Sequence, residues 1–468
     1  MSLPRPARRV IEIKPVIDPD AKVYPRSIQG VFQRWRWGFV WLTQLVFYGL
    51  CWLPWNGRQA ILFDLEARRA YLFDLVLWPQ DAIYLALLLI LCALALFLFT
   101  TVAGRLWCGY SCPQTVYTEL FLWIEKLVEG DRPRRMKLDA AAWSPRKLRI
   151  KATKHALWLL VGLWTGISFV GYFTPIRELT QNLATLSLGP WESFWVLFYG
   201  FATYGNAGFL REQMCIYICP YAQFQFVMFD RDTLLIAYDK ERGEPRGSRA
   251  KEVDAKAAGL GDCIDCSICV QVCPTGIDIR NGLQLECIGC AACIDACDQV
   301  MDKMNYPRGL IRYATENAVQ ERLPRRDIIR RALRPRVLTY LLIFLTATSA
   351  TAWSLLTRPP LKVDIIRDRT TLSREAADGS IENVFRLRVI NASEQAHSYT
   401  VRADGLPTLS FAQPAQISVG PAATGDATLI LKVDPGAVRT GTHPIRLTVT
   451  DAADPNVSRT EATKFFVP

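Results

Sequence analysis

Apolar residues along this chain come in blocks. Residues 37–53 (WGFVWLTQLVFYGLCWL), 82–103, 156–174, 190–210 and 337–356 contain no Lys or Arg. Each is about long enough, as a helix, to cross a hydrocarbon layer of roughly 30 Å. The pattern predicts about five transmembrane helices. Block 37–53 is the shortest, and 190–210 carries Glu192, Asn206 and several Gly. No small-residue cleavage site follows the first block, so it reads as a retained anchor and not as a signal peptide. Beyond Arg358 the period changes. Segments 384–390 (VFRLRVI), 428–433 (TLILKV) and 445–450 (IRLTVT) alternate apolar and polar positions, with Gly, Pro, Asn or Asp between them, as half-buried strands do. Residues 358–468 contain no Cys, so the immunoglobulin-like β-sandwich they predict must be held by its core alone.

Charge assigns sides to the blocks. Lys and Arg number 8 in 1–36, 3 in 54–81, 11 in 104–155, 1 in 175–189, 19 in 211–336 and 13 after the last block. Basic residues are retained on the cytoplasmic side, so this alternation predicts a multi-pass membrane protein with a cytoplasmic N-terminus. The C-terminal sandwich then faces outward. The net charge of +11 and the run Arg325, Arg326, Arg330, Arg331, Arg334, Arg336 suggest nucleic acid at first sight. The run lies directly before an apolar block, where juxtamembrane basic residues are ordinary, so no nucleic-acid partner is expected. The expected organisation is a cytoplasmic segment 1–36, a four-helix membrane domain 37–229, a cytoplasmic domain 230–336, a fifth helix 337–356 and the outward-facing immunoglobulin-like domain 358–468.

The cysteines carry the chemistry. Of 14, eight lie between Cys263 and Cys297, as Cys263, Cys266, Cys269, Cys273-Pro274 and then Cys287, Cys290, Cys293, Cys297-Asp298. This is the C-x2-C-x2-C-x3-C spacing of bacterial ferredoxins, twice, in which three thiolates hold one [4Fe-4S] cluster and the fourth crosses to the other. It assigns Cys263, Cys266, Cys269 and Cys297 to one cluster, and Cys287, Cys290, Cys293 and Cys273 to a second. Structural zinc favours paired knuckles, and a cytoplasmic location disfavours disulfides. The three His (His155, His397, His443) leave little room for haem.

Four further cysteines form a second repeat, Cys108-Gly-Tyr-Ser-Cys112-Pro113 and Cys215-Ile-Tyr-Ile-Cys219-Pro220, each with an Arg upstream (Arg105, Arg211) and an amphipathic stretch after it. Cysteines four apart share a helical face, and the following Pro either kinks that helix or opens a new one. Paired thiolates suit a soft ion such as Cu(I), a metal-free redox dithiol, or simple packing, and the residues alone leave all three open. Cys51 and Cys92, alone in apolar blocks, read as packing residues, and His155 as structural or as a ligand or quinone contact. No flavin or nucleotide fingerprint occurs, so the electron donor is expected to be another protein or a quinol.

The stretches WCGYSCPQTVYTE (107–119), QMCIYICPYAQFQ (213–225), GDCIDCSICVQVCPTGIDIRNG (261–282) and ECIGCAACIDACDQVMDKMNYPRGLIRY (286–313) resemble the cytochrome c oxidase accessory protein family of the FixG/RdxA/CcoG type. The resemblance implies a cupric reductase of a bacterial inner membrane, its outward sandwich periplasmic, that turns Cu(II) into Cu(I) during assembly of a cbb3-type oxidase. Its partners would be the lipid bilayer and oxidase assembly factors or copper chaperones. Cys108, Cys112, Cys215 and Cys219 would then bind or pass copper, within one chain or across a homodimer, and the eight ferredoxin cysteines would carry electrons. The alternatives are a quinol-linked conduit to another reductase, or an assembly scaffold with structural clusters.

Overall fold

The computed structural model describes residues 22–468 apart from 252, 254, 256, 257, 322–324, 368–372, 377 and 435. Most of the expected segment 1–36 therefore lies outside the described residues, as does the side chain of Arg325. The chain forms two compact units. One comprises the residues up to Leu53 with Leu88–Ala347, the other Pro54–Leu87 with Thr348–Pro468.

In the first unit the apolar blocks are helices: α1 (Val31–Leu50), α2 (Ala82–Ala103), α6 (Pro145–Val170) and α8 (Pro190–Gly205), between which lie α3 (Leu106–Tyr110), α4 (Pro113–Glu129), α5 (Arg132–Ala140) and α7 (Ile176–Ala184). Two helices among the described residues are long and apolar enough to cross a membrane, Pro79–Ala103 and Pro335–Leu356. The other three blocks are helical but differ from the expected spans for identifiable reasons. α1 begins six residues early and takes in Arg34 and Arg36, and α6 begins at Pro145, so that basic helical turns precede its apolar part. α8 has 16 residues and continues from Asn206 to Leu210 as a π-helical turn. Small residues let α6 and α8 approach closely: a Cβ on Gly162 would lie 2.7 Å from the Gly200 carbonyl oxygen. Tyr172 Oη donates to the Phe47 carbonyl at 2.7 Å, and Cys51 is fully buried among Val170, Ile176 and Leu179, so packing is its role.

The ferredoxin insert pairs strand Leu235–Tyr238 with Ile311–Ala314 and carries helices Ile268–Gln271 and Ala292–Met304. It docks on the N-terminus of α1, where the Asp295 carboxylate accepts from the Phe32 and Gln33 amides at 3.2 and 2.8 Å. Three basic stretches meet around it. Lys22 pairs with Asp139 at 2.8 Å, Arg36 with Glu119 at 2.7 Å, and the Arg26 amide donates to the Gln271 carbonyl at 2.8 Å. Buried Glu125 of α4 collects Arg135 and Arg211 at 2.5 and 2.6 Å, with Lys154 at 3.9 Å.

The second unit is the expected two-sheet sandwich. One sheet runs Ser410–Phe411, Thr424–Val433, Ile381–Asn391, Leu361–Arg367, and the other Gln416–Val419, His397–Asp404, Gly441–Asp451, Ser458–Val467, all antiparallel. The alternation seen in the sequence is the core: Phe385, Leu387, Val389, Leu431, Leu447, Val449 and Phe465 are fully buried. The expected membrane domain 37–229 is corrected at one point, because residues 54–81 belong to this unit. They form a three-stranded meander, Ile61–Asp64, Arg69–Leu72 and Leu75–Leu77. Val76 and Trp78 pack against Ile390, and buried Asp81 pairs with Arg358 at 2.6 Å and Lys362 at 2.5 Å. Strands of three or four residues are too short for a period-2 pattern to stand out.

Candidate functional site

The ferredoxin repeat folds its two halves alike. Asp265 and Ser267 flank Cys266 with φ of 53° and 56°, while Gly289 and Ala291 flank Cys290 with 70° and 60°. Left-handed backbone at a non-glycine residue costs on the order of 1–3 kcal/mol, so the surrounding fold must hold Asp265, Ser267 and Ala291 in place. Cys263, Cys266, Cys269 and Cys297 line one cavity walled by Ile264, Val300, Met301 and Leu310. Cys266 is exposed, and Cys263 and Cys269 are buried. The other four thiols form a separate group, in which Cys293 is influenced by Cys290, Cys287 and Cys273. Burial, reinforced by neighbouring thiols, pushes Cys297 up to about 12, and burial does the same to Cys269 and Cys287. Free thiols here are protonated at neutral pH, so metal uptake must release protons. The residues fit two [4Fe-4S] clusters: four thiols each, crossed between the halves, in apolar walls.

The two C-x-x-x-C-P motifs start new helices and do not kink old ones. Cys112 and Cys219 are N-caps in extended conformation, and Pro113 and Pro220 take the first helical position of α4 and of Pro220–Met228. Cys108 sits in α3 and Cys215 in a π-helical turn, Met214–Ile218. The fold brings the motifs together. Cys108 is influenced by Cys112 and Cys219, and Cys215 by Cys112, Cys108 and Cys219. Burial, with these neighbours, raises Cys108 to about 11 and Cys215 to about 12. Cys108 and Cys215 pack on Ile288, Cys290 and Ala292 of the second ferredoxin half. Gly109 has no room for a side chain, since a Cβ there would lie 2.8 Å from the Gly289 carbonyl oxygen. Among the described residues no three His, Cys, Asp or Glu side chains converge tightly enough to hold one metal ion.

The upstream arginines, alike in sequence, part in space. Arg105 is 5% exposed, bonds the carbonyls of Leu285, Cys287 and Ala222, and faces Cys108, Cys287 and Cys215. Arg211 turns to Glu125. Sequence reasoning missed Gln225, fully buried with Oε1 3.4 Å from Cys108 Sγ, and Tyr313, whose hydroxyl donates to the Gly289 carbonyl at 2.7 Å. It also missed Ile28, packed beside Cys108, Cys215 and Cys290. No sequence signal marks these residues, because each acts by position alone. His155 bonds Tyr204 at 3.0 Å and stacks on Phe209.

Comparison with known proteins agrees with this arrangement. Residues 210–316 match a 4Fe-4S dicluster domain, 85–151 a 4Fe-4S binding domain, and 351–468 the IG-like fold at the C-terminal of FixG. The chain is 36% identical to the nitrogen fixation protein FixG of Rhizobium meliloti, covering 93% of this chain and 87% of that protein. It is 41% identical to the protein RdxB of Cereibacter sphaeroides (86% of each chain) and 37% identical to RdxA of the same organism (96% of this chain, 98% of that one). With matches of this extent to FixG, RdxA and RdxB, and with both iron–sulfur and FixG C-terminal domains, the chain belongs to the FixG/RdxA-type family.

Proposed function

We propose that this iron–sulfur electron-transfer protein is a multi-pass cupric reductase of a bacterial inner membrane, supplying Cu(I) for assembly of a cbb3-type oxidase. One observation carries the reading: Cys108 and Cys215, one thiol from each motif, pack directly against the Cys290 arm of the second ferredoxin half. When bound, [4Fe-4S] clusters supply single electrons. The chain's own residues do the rest. Apolar walls exclude water, Arg105 compensates negative charge, and Cys108, Cys112, Cys215 and Cys219 form the exit through which the electron leaves the chain. Copper is the substrate that receives it. Each Cu(II) takes up one electron and no proton, and leaves as Cu(I) to a copper chaperone or assembly factor.

The same reading has five crossings, with the N-terminal segment and ferredoxin insert cytoplasmic and the sandwich periplasmic. Two features support it. The stretches rich in Lys and Arg (22–36, 104–155 and 211–336) are joined by ion pairs and backbone bonds around the insert. The chain passes between its two units at the end of α1, inside α2 and inside Pro335–Leu356.

Anaerobically reduced protein in detergent, given Cu(II) and a Cu(I)-specific chelator, should yield Cu(I) in proportion to its stored electrons. The double variant Cys108→Ala with Cys215→Ala should slow the yield at least about tenfold, the mark of a lost exit site. Unchanged copper reduction in that variant would remove the proposed site.

A further inference from the structure

We propose that Cys108, Cys112, Cys215 and Cys219 together ligate a third [4Fe-4S] cluster. The proposal rests on the electron-transfer reading above and gives the four thiols a resident cofactor, with copper as the acceptor beyond it. The first support is a shortfall. Residues 85–151 match a 4Fe-4S binding domain, yet they contain three cysteines, Cys92, Cys108 and Cys112. A cubane takes four thiolates. Cys92 is exposed in the apolar helix α2. The stretch therefore cannot complete a cluster from its own thiols, and the cysteines that the fold brings to Cys108 and Cys112 are Cys215 and Cys219.

The second support is proximity. Cys108 and Cys215 pack in one cluster beside Cys290, and Cys112 and Cys219 lie close enough to influence both. A cubane takes one thiolate on each of its four irons, which two neighbouring cysteine pairs can supply. All four are free thiols, so the pairs are not disulfides.

The third support is the surroundings. Arg105 sets a buried positive charge beside Cys108 and Cys215. Gln225 is fully buried, its Oε1 lies 3.4 Å from Cys108 Sγ, and its Nε2 has no hydrogen-bond partner. A buried amide donor left unpaired is costly, and cluster sulfur is an acceptor of the kind it lacks. The Cys112 sulfur also faces the backbone amides of Gln114 and Thr115 at the start of α4.

The test is an iron and acid-labile sulfide count, with Mössbauer spectra, on full-length protein purified anaerobically and reconstituted with iron and sulfide. Three cubanes give about twelve irons per chain and two give about eight. The double variant Cys112→Ser with Cys219→Ser should lose about a third of the iron while the EPR signals of the ferredoxin clusters persist, and Cys92→Ser should lose none. The wild-type count needs no variant to fold. About eight irons in the wild type, or copper on the four thiols in place of iron, would overturn the proposal. About eight irons with Cu(II) reduction intact removes the third cluster alone, and about twelve without Cu(II) reduction removes the copper reading alone.

Discussion

Replacing Arg105 by Gln separates the charge of this residue from its hydrogen bonds. The guanidinium is 5% exposed and bonds the Leu285, Cys287 and Ala222 carbonyls, the last at 2.6 Å. It stays protonated although burial lowers its affinity for the proton. Its Nη1 lies 3.4 Å from the Cys287 carbonyl oxygen, which puts the charge within one residue of a second-cluster ligand. A unit charge at roughly 7 Å and an effective dielectric near 20 is worth about 2.4 kcal/mol. For one electron that is about 100 mV. Reduction adds negative charge, so removing the cation must lower the potential of the cluster held by Cys287, Cys290, Cys293 and Cys273. EPR-monitored redox titration of Arg105→Gln should show that shift, with little change at the cluster of Cys263, Cys266, Cys269 and Cys297. Arg105→Lys keeps the charge and should shift by less than about a third as much. It still loses the planar fork, at a cost of about 1–3 kcal/mol for each carbonyl left unpaired. Unchanged potentials in Arg105→Gln, or a larger shift at the other cluster, would refute the placement of this charge.

Three further outcomes are expected. Burial pushes the Glu125 carboxyl up, but Arg211, Arg135 and Lys154 pull it below the ordinary carboxylate range. Its stabilisation is therefore present above about pH 4.3 and is lost as pH falls through the lower folded value. Glu125→Gln strands buried cations and should cost about 3–5 kcal/mol near neutral pH, read as a lower unfolding temperature whose deficit narrows on acidification. Asp81→Asn removes the partner of Arg358 and Lys362 and should admit limited proteolysis between residues 54 and 81, where the wild type resists. Cys297→Ser should abolish the EPR signal of the cluster with the exposed Cys266 ligand, and Cys273→Ser that of the buried one. Loss of the opposite signals would show that the halves do not cross.

Legibility of this chain followed the range of the interactions. The eight ferredoxin cysteines are local in sequence, and their spacing alone encodes three-plus-one ligation because a short loop can only wrap one corner of a cubane. The sandwich strands were equally plain, since long strands such as Gly441–Asp451 repeat the period enough times to be read. Helices that pass into a π-helical turn, as α8 does, or are extended by basic turns, as in α6, kept their place but not their ends, because termini answer to caps and close neighbours. What stayed hidden is long-range. Arg105 and Arg211 occupy equivalent positions in a repeat, and nothing local distinguishes them; only Glu125, 86 residues from Arg211, draws one of them away. Likewise Gly109 looks like an ordinary small residue, yet it lacks room for a Cβ because the backbone of Gly289 and Cys290 fills that space. The thiol pairs were visible, and their meeting was not. Two copies of a motif 107 residues apart say only that the same local structure is built twice. That the copies face each other, against Cys290, follows from the packing of Ile28, Ile288 and Ala292 between segments with no sequence relation.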